Sequence, residues 1–208
     1  MHGCGHDGHT AILLATAKYL AATRRFNGTV VFIFQPGEEG CGGVLSMLDD
    51  NLFGRFPCDS IFGLHNEPGL PIGDFCIGDG IIAAGGAFFD VTVAGKGAHA
   101  ALPHTGVDPV LVACHLVTAL QSIVSRTVPA PDPVVLSVTR ISGADAYNVV
   151  ASEAVIGGTA RFLRREVGEQ VERSMRRMAT SVCEGFGASA VVDFRLLFAP
   201  TVNDEAEA

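Results

Sequence analysis

The hydrophobic positions change rhythm along the chain, and the changes mark out its elements. Residues 11–22, AILLATAKYLAA, are rich in Ala and Leu and free of Gly and Pro, which predicts a helix with Asp7 or Thr10 placed to cap its start. Gly28 and Thr29 then lead into VVFIF, a continuous apolar run of strand length that fits a strand buried on both faces. It ends in the loop QPGEEG. A short helix over 43–50 follows, and a second apolar strand over 60–64 runs into HNEPG. Alternation of this kind predicts an α/β layer with polar residues at the strand ends, where open α/β sheets bind ligands.

From Gly86 the pattern shifts. FFDVTVAGKG reads as a strand, DPVLVACHLVTALQSIVSR as a helix of about 19 residues, and PVVLSVTRISG and EAVIGGTARFL as two strands. EVGEQVERSMRRMATSVCEGF is an amphipathic helix and SAVVDFRLLF a final strand. The order β-α-β-β-α-β is the split βαβ arrangement of ferredoxin-like domains. The fold class expected is therefore α/β, with an incomplete first domain at 1–85 and an inserted domain at 86–199. Residues 200–208 are read as the start of a return to the first domain, building no element of their own.

Composition narrows the partners. Hydrophobic residues make up 48% of the chain and charged residues 17%, which is globular rather than disordered. The formal charge of -8, from 22 acidic against 14 basic side chains, argues against nucleic acid or an anionic membrane as partner. No apolar run approaches the ~20 residues of a membrane span, and the first residues lack the order of a signal peptide, so a cytoplasmic location is expected. The six cysteines show no repeated spacing and are expected to be reduced and mostly buried; Cys4 alone sits among other potential ligands.

Chemistry concentrates at the ends of predicted elements: Cys4 and His6 before the first helix, Glu38 and Glu39 after one strand, His65 after the next, and His99 in GKGAHAALPH. Thiolate, imidazole and carboxylate together suit zinc or a related divalent ion. In an extended loop Cys4 and His6 would project to the same side, and Gly5 would let the backbone approach. Adjacent carboxylates point apart, so one of Glu38 and Glu39 can hold metal while the other handles a proton. Taken singly, each feature also has a plain reading: a structural histidine, a solvated turn, a buried thiol. Their recurrence at the loop ends of one α/β unit favours a metal site. His2 and His9 read as loop residues or as neighbours of ligands, and Met175 and Met178, at helical spacing, as core.

The segments MHGCGHDGHT, FQPGEEG, GLHNEPGLPIG, GKGAHAALPHTGVDPV and YNVVASEAVIGGTARF occur in an order that resembles the amidohydrolase branch of the zinc aminoacylase and carboxypeptidase clan. Hippurate hydrolases, indoleacetyl-amino-acid hydrolases and N-acetyl-diaminopimelate deacetylases belong to that branch. The resemblance runs over nearly the whole chain and corresponds to the middle of the family's own chain. It implies two divalent metal ions (Zn, Mn or Co), with Cys4 bridging them and His6, Glu39 and His65 as further ligands. Glu38 would be the general base that takes a proton from the attacking water and passes it to the leaving amine. The inserted domain would be the family's lid and dimerisation domain. There His99 would stabilise the oxyanion, in the family typically that of the partner subunit's site, while Asn148 and Arg161 would hold the substrate's carboxylate.

The function expected is thus metal-dependent hydrolysis of the amide bond of an N-acyl amino acid, by a homodimer joined through the lid. The family's last metal-ligand histidine and its N-terminal strands have no counterpart in residues 1–208. The alternative expectation is therefore a truncated, inactive pseudoenzyme serving as a dimerisation and metal-binding fragment.

Overall fold

The computed structural model describes residues 4–38, 42–144 and 146–208. The chain divides into two compact units, Met1–Cys76 and Ile77–Ala208.

In the first unit, α1 spans His6–Thr23, α2 Gly43–Asp49 and α3 Leu52–Arg55. Helix α1 starts well before the first apolar residue. Gly5 adopts a left-handed conformation, φ +73°, and turns the chain into the helix without any side-chain cap, so Asp7 and Thr10 lie inside α1 rather than at its start. Thr10 instead donates its hydroxyl hydrogen bond back to the His6 carbonyl at 3.0 Å. The two strands expected at VVFIF and 60–64 are not formed: among the described residues this unit contains no strand. Val30, Val31, Phe34, Ile61, Phe62 and Leu64 are all exposed. The physical reason is that a strand apolar on both faces exists only through neighbours that pair its edges and cover its faces. The described residues supply neither.

In the second unit the elements are β1 (Gly80–Ala83), β2 (Gly85–Ala94), β3 (Ala98–His99), α4 (Pro109–Ser122), β4 (Val134–Ser142), β5 (Val149–Val150), β6 (Glu153–Phe162), α5 (Arg165–Gly185), β7 (Ser189–Phe198) and β8 (Thr201–Asn203). The main sheet has the order β4-β6-β2-β7, antiparallel throughout. Strands β2 and β4 therefore run parallel with β6 between them, and β6 and β7 run parallel with β2 between them. These are two interleaved split βαβ crossings, made by α4 and α5. Strand alternation sends Ala87, Phe89, Val91 and Val93 of β2 and Ala154, Ile156, Ala160 and Phe162 of β6 to one face, where they join Leu116 and Leu120 of α4 and Val171 and Met175 of α5 in a single core.

Local chemistry sets these elements. The Asp108 carboxylate accepts from the N–H groups of Val110 (2.9 Å) and Leu111 (3.3 Å), and Pro109 occupies the first helical position of α4. Helix α4 with the π-turn that extends it, Pro109–Thr127, is long and apolar enough to cross a membrane, with a mean hydropathy of 1.4. That departs from the sequence expectation, yet Val112, Ala113, Leu116, Leu120 and Ile123 are spent on the protein core. The tail also differs from expectation: β8 pairs antiparallel with β1, and the Asn203 side-chain amide donates to the Gly78 carbonyl at 2.7 Å. Of the cysteines, Cys183 is buried, whereas Cys58, Cys76 and Cys114 are exposed, contrary to the expectation that most would be inside.

Candidate metal centre

Three ligand-type atoms converge in the first unit. The donor atoms of Cys4, His6 and His65 all lie within 4.8 Å of one another. Cys4 and His6 meet not through an extended loop but through the left-handed turn at Gly5, which sets His6 at the head of α1 beside the thiol. His65 arrives from the HNEPG loop with its Nε2 at 3.2 Å from Cys4 Sγ. Its orientation follows from the other ring nitrogen: Nδ1 lies 2.7 Å from the Asn66 carbonyl oxygen, which can only accept, so Nδ1 carries the proton and Nε2 faces the thiol with its lone pair. Around a tetrahedral zinc with ligand bonds of about 2.0–2.3 Å, donor atoms sit roughly 3.5 Å apart. The cluster therefore fits a divalent ion of this kind in both donor type and spacing.

Glu38 joins the cluster, with Oε2 3.4 Å from His6 Nε2. A carboxylate at that distance is next to the ligand set. Glu39 lies outside the described residues, as does His2.

Sequence reasoning underrated two neighbours. His9, one turn along α1 from His6, receives the Asn66 main-chain N–H at its Nε2 (3.0 Å), and the Asn66 side-chain amide lies 2.6 Å from the same nitrogen. The His9 and His65 rings are 4.3 Å apart. Asn66 drew no attention because it works through main-chain atoms and an amide, and nothing in its residue type announces that. Its position directly after His65, in a loop two segments away from another imidazole, was the only available signal.

The remaining candidates belong to the second unit. His99 and Asn148 are brought together by the short ladder β3–β5, in which His99 pairs with Val149 and the Ala100 N–H donates to the Asn148 carbonyl at 3.0 Å. The Ala101 N–H donates to His99 Nδ1 at 3.1 Å, which leaves the proton of a neutral imidazole on Nε2, facing outward as a donor. Arg161 is on β6, away from that ladder. Its guanidinium lies 5.3 Å over the Phe198 ring, and its Nη1 is buried without a hydrogen-bond partner among the described residues. His115 stacks on Phe186 at 4.9 Å and is structural.

A thiol and two imidazoles flanked by a carboxylate, on a chain that also carries an antiparallel α+β unit, make a donor set suited to a divalent metal ion. The chain belongs to Peptidase family M20/M25/M40, whose sequence pattern matches residues 1–200. It is 38% identical to an N-acetylcysteine deacetylase of Bacillus subtilis over 91% of this chain and 50% of that one. It is 37% identical to the IAA-amino acid hydrolase ILR1-like 4 of Arabidopsis thaliana over 99% of this chain and 48% of the relative. Among solved structures it is similar to the Bacillus subtilis YXEP protein, described as a dinuclear metal binding peptidase of the M20 family, with a TM-score of 0.76 and 32% identity over 99% of this chain and 51% of that one. The chain spans about half the length of the curated relatives it matches.

Proposed function

We propose that this chain carries part of the active centre of a metal-dependent amidohydrolase that cleaves the amide bond of N-acyl amino acids. The observation that carries the reading is the convergence of Cys4, His6 and His65 within 4.8 Å, with Glu38 beside His6. Cys4, His6 and His65, together with Glu39, would hold two divalent ions. When bound, such ions polarise the scissile carbonyl and lower the pKa of bound water to about 7. The chain's own part is proton traffic and placement. Glu38 takes the proton of the attacking water on its carboxylate and returns it to the leaving nitrogen.

Two features of the second unit support the roles assigned to it. With Nδ1 occupied as an acceptor, His99 offers Nε2–H as a donor suited to a developing oxyanion. Arg161 Nη1, buried without a hydrogen-bond partner among the described residues, is a costly arrangement that an anionic group would relieve, in keeping with a substrate carboxylate held by Arg161; the same role for Asn148, which lies on the separate β3–β5 ladder, rests on the family resemblance alone. The acyl-amino-acid class accords with the deacetylase and hydrolase names of the relatives, and the second unit would serve as lid and homodimer contact.

The test is Glu38→Gln. With N-acetyl and N-benzoyl amino acids and added zinc, manganese or cobalt, turnover is expected to fall by about 10²–10⁴-fold while metal content stays near that of the parent. If metal is lost and turnover per bound ion is unchanged, Glu38 is a ligand and not the base. Absence of turnover in the parent chain with metal bound would favour a metal-binding, dimerising fragment instead.

A further inference from the structure

Beyond the ligand set itself, the structure holds a device that brings its two halves into register. The segments bearing Cys4 and His6 on one side and His65 on the other are far apart in sequence, and no strand ladder joins them among the described residues. Besides the Cys4–His65 contact, what joins them is Asn66, through two groups that reach His9: its N–H meets His9 Nε2 (3.0 Å) and its side-chain Oδ1 lies 2.6 Å from that nitrogen, while within its own loop its carbonyl takes the Nδ1 proton of His65 (2.7 Å). The same amide fills the space in front of Gly5: a Cβ there would come within 2.4 Å of it. Gly5 also has φ +73°, so a side chain at this position would be strained and would push the Asn66 amide aside.

Two polar groups of Asn66 face the same ring nitrogen. A His9 Nε2 that carries its proton donates to Asn66 Oδ1 at 2.6 Å, and in the other tautomer Nε2 accepts from the Asn66 main-chain N–H at 3.0 Å. In either tautomer His9, held on α1, grips the residue next to His65.

We propose that His9 and Asn66 are positioning residues, forming a clamp that holds the His65 imidazole in the orientation and tautomer needed to share a divalent ion with Cys4 and His6. The clamp acts on the ligand, not on the substrate, and it is complete before any ion arrives. This rests on the reading of Cys4, His6 and His65 as ligands.

The experiment is cobalt(II) titration of the chain, read as the thiolate-to-cobalt charge-transfer absorption and as affinity by chelator competition, for the parent, Cys4→Ala, His9→Phe, His9→Gln and Asn66→Ala. Gln can place an amide, which both donates and accepts, near the position of Nε2; Phe can do neither. The parent is expected to show the thiolate band and Cys4→Ala to lack it. His9→Phe is expected to bind about 10–100-fold more weakly with an altered band, His9→Gln to recover most of the affinity, and Asn66→Ala to fall between them. Circular dichroism of each variant shows whether the helices are intact. If His9→Phe binds as the parent does, or if His9→Gln is as weak as His9→Phe, the clamp is refuted while the ligand reading stands. A parent chain without a Cys4-dependent band refutes the ligand reading, and the clamp with it.

Discussion

The adjacent glycines Gly157 and Gly158 on β6 allow the fold's packing to be tested at two neighbouring positions with opposite surroundings. Gly158 is paired with Phe89 of β2 and Val138 of β4, in the centre of the sheet. A Cβ on it would lie 2.0 Å from the Ser137 carbonyl oxygen and 2.7 Å from Phe89 Cζ. Neither can yield cheaply: the first is backbone, and the second belongs to a ring that is 1% exposed. A Cβ on Gly157 would instead meet Asp90 Oδ1 at 2.6 Å and Arg140 Nε at 3.3 Å, the ends of side chains on the open face of the sheet. Replacing a strand glycine with alanine gains about 0.5–1 kcal/mol in chain entropy. Overpacking costs about 1–3 kcal/mol and sometimes more, and at Gly158 both β4 and Phe89 have to give way. The net expectation for Gly158→Ala, from the upper end of that cost less the entropy gain, is a loss of roughly 2–2.5 kcal/mol. For Gly157→Ala, a weakened surface ion pair of about 0.5 kcal/mol offsets the gain, leaving a change within about 1 kcal/mol. Urea unfolding followed by far-ultraviolet circular dichroism measures both, provided the slope with urea is the same for all three proteins. If Gly158→Ala comes within about 1 kcal/mol of the parent, or Gly157→Ala is the more damaging, the β4-β6-β2 register described here is wrong.

Two further predictions concern titratable groups. Asp90 lies between Arg195 and Arg140, each at 2.6 Å, and the Arg195 hydrogen bond above all holds its carboxyl below the usual carboxylate range, against the opposing effect of burial. Its contribution to stability is therefore present above the unfolded value near ~4 and is lost as pH falls through the lowered folded value. Asp90→Asn is expected to cost about 0.5–1 kcal/mol at neutral pH, with the gap to the parent closing in acid; a gap that widens in acid would contradict the sign. Burial pushes the Cys183 thiol up, so it should resist a thiol reagent at neutral pH while exposed Cys58, Cys76 and Cys114 react, and should become reactive only on unfolding. Labelling of Cys183 at the rate of Cys114 in the native chain would show that α5 does not pack as described.

How far the sequence could be read follows from how local each determinant is. The second unit was legible because its signals are short-range: the odd positions of β2 go inward, α5 carries its apolar stripe at helical spacing, and Asp108-Pro109 announces the start of α4. The start of α1 was misplaced because Gly5 opens the helix through backbone conformation alone, and a reading keyed to capping side chains and apolar residues looks further along. VVFIF and the run at 60–64 failed for a different reason. Their residue types specify burial on two faces, but ladders are made between segments, and the described residues of this unit offer no partner strand.

The candidate site shows the same division from the other side. Residue type together with position at the ends of predicted elements singles out Cys4, His6, Glu38, Glu39, His65 and His99, because few other side chains can bind a divalent ion or carry a proton. Geometry then came from groups that residue type does not advertise: a left-handed glycine, a main-chain carbonyl, an amide and a second imidazole. The extended-loop argument brings Cys4 and His6 together by a path that the structure does not take. Gly5, left-handed at φ +73°, stands between them and starts α1 at His6, and the donor atoms of Cys4 and His6 lie within 4.8 Å of each other. Gly5 is thus fixed twice, by the φ that turns the chain and by the amide of Asn66 that occupies its missing side chain, so the ligand spacing and the inter-loop clamp depend on one and the same residue.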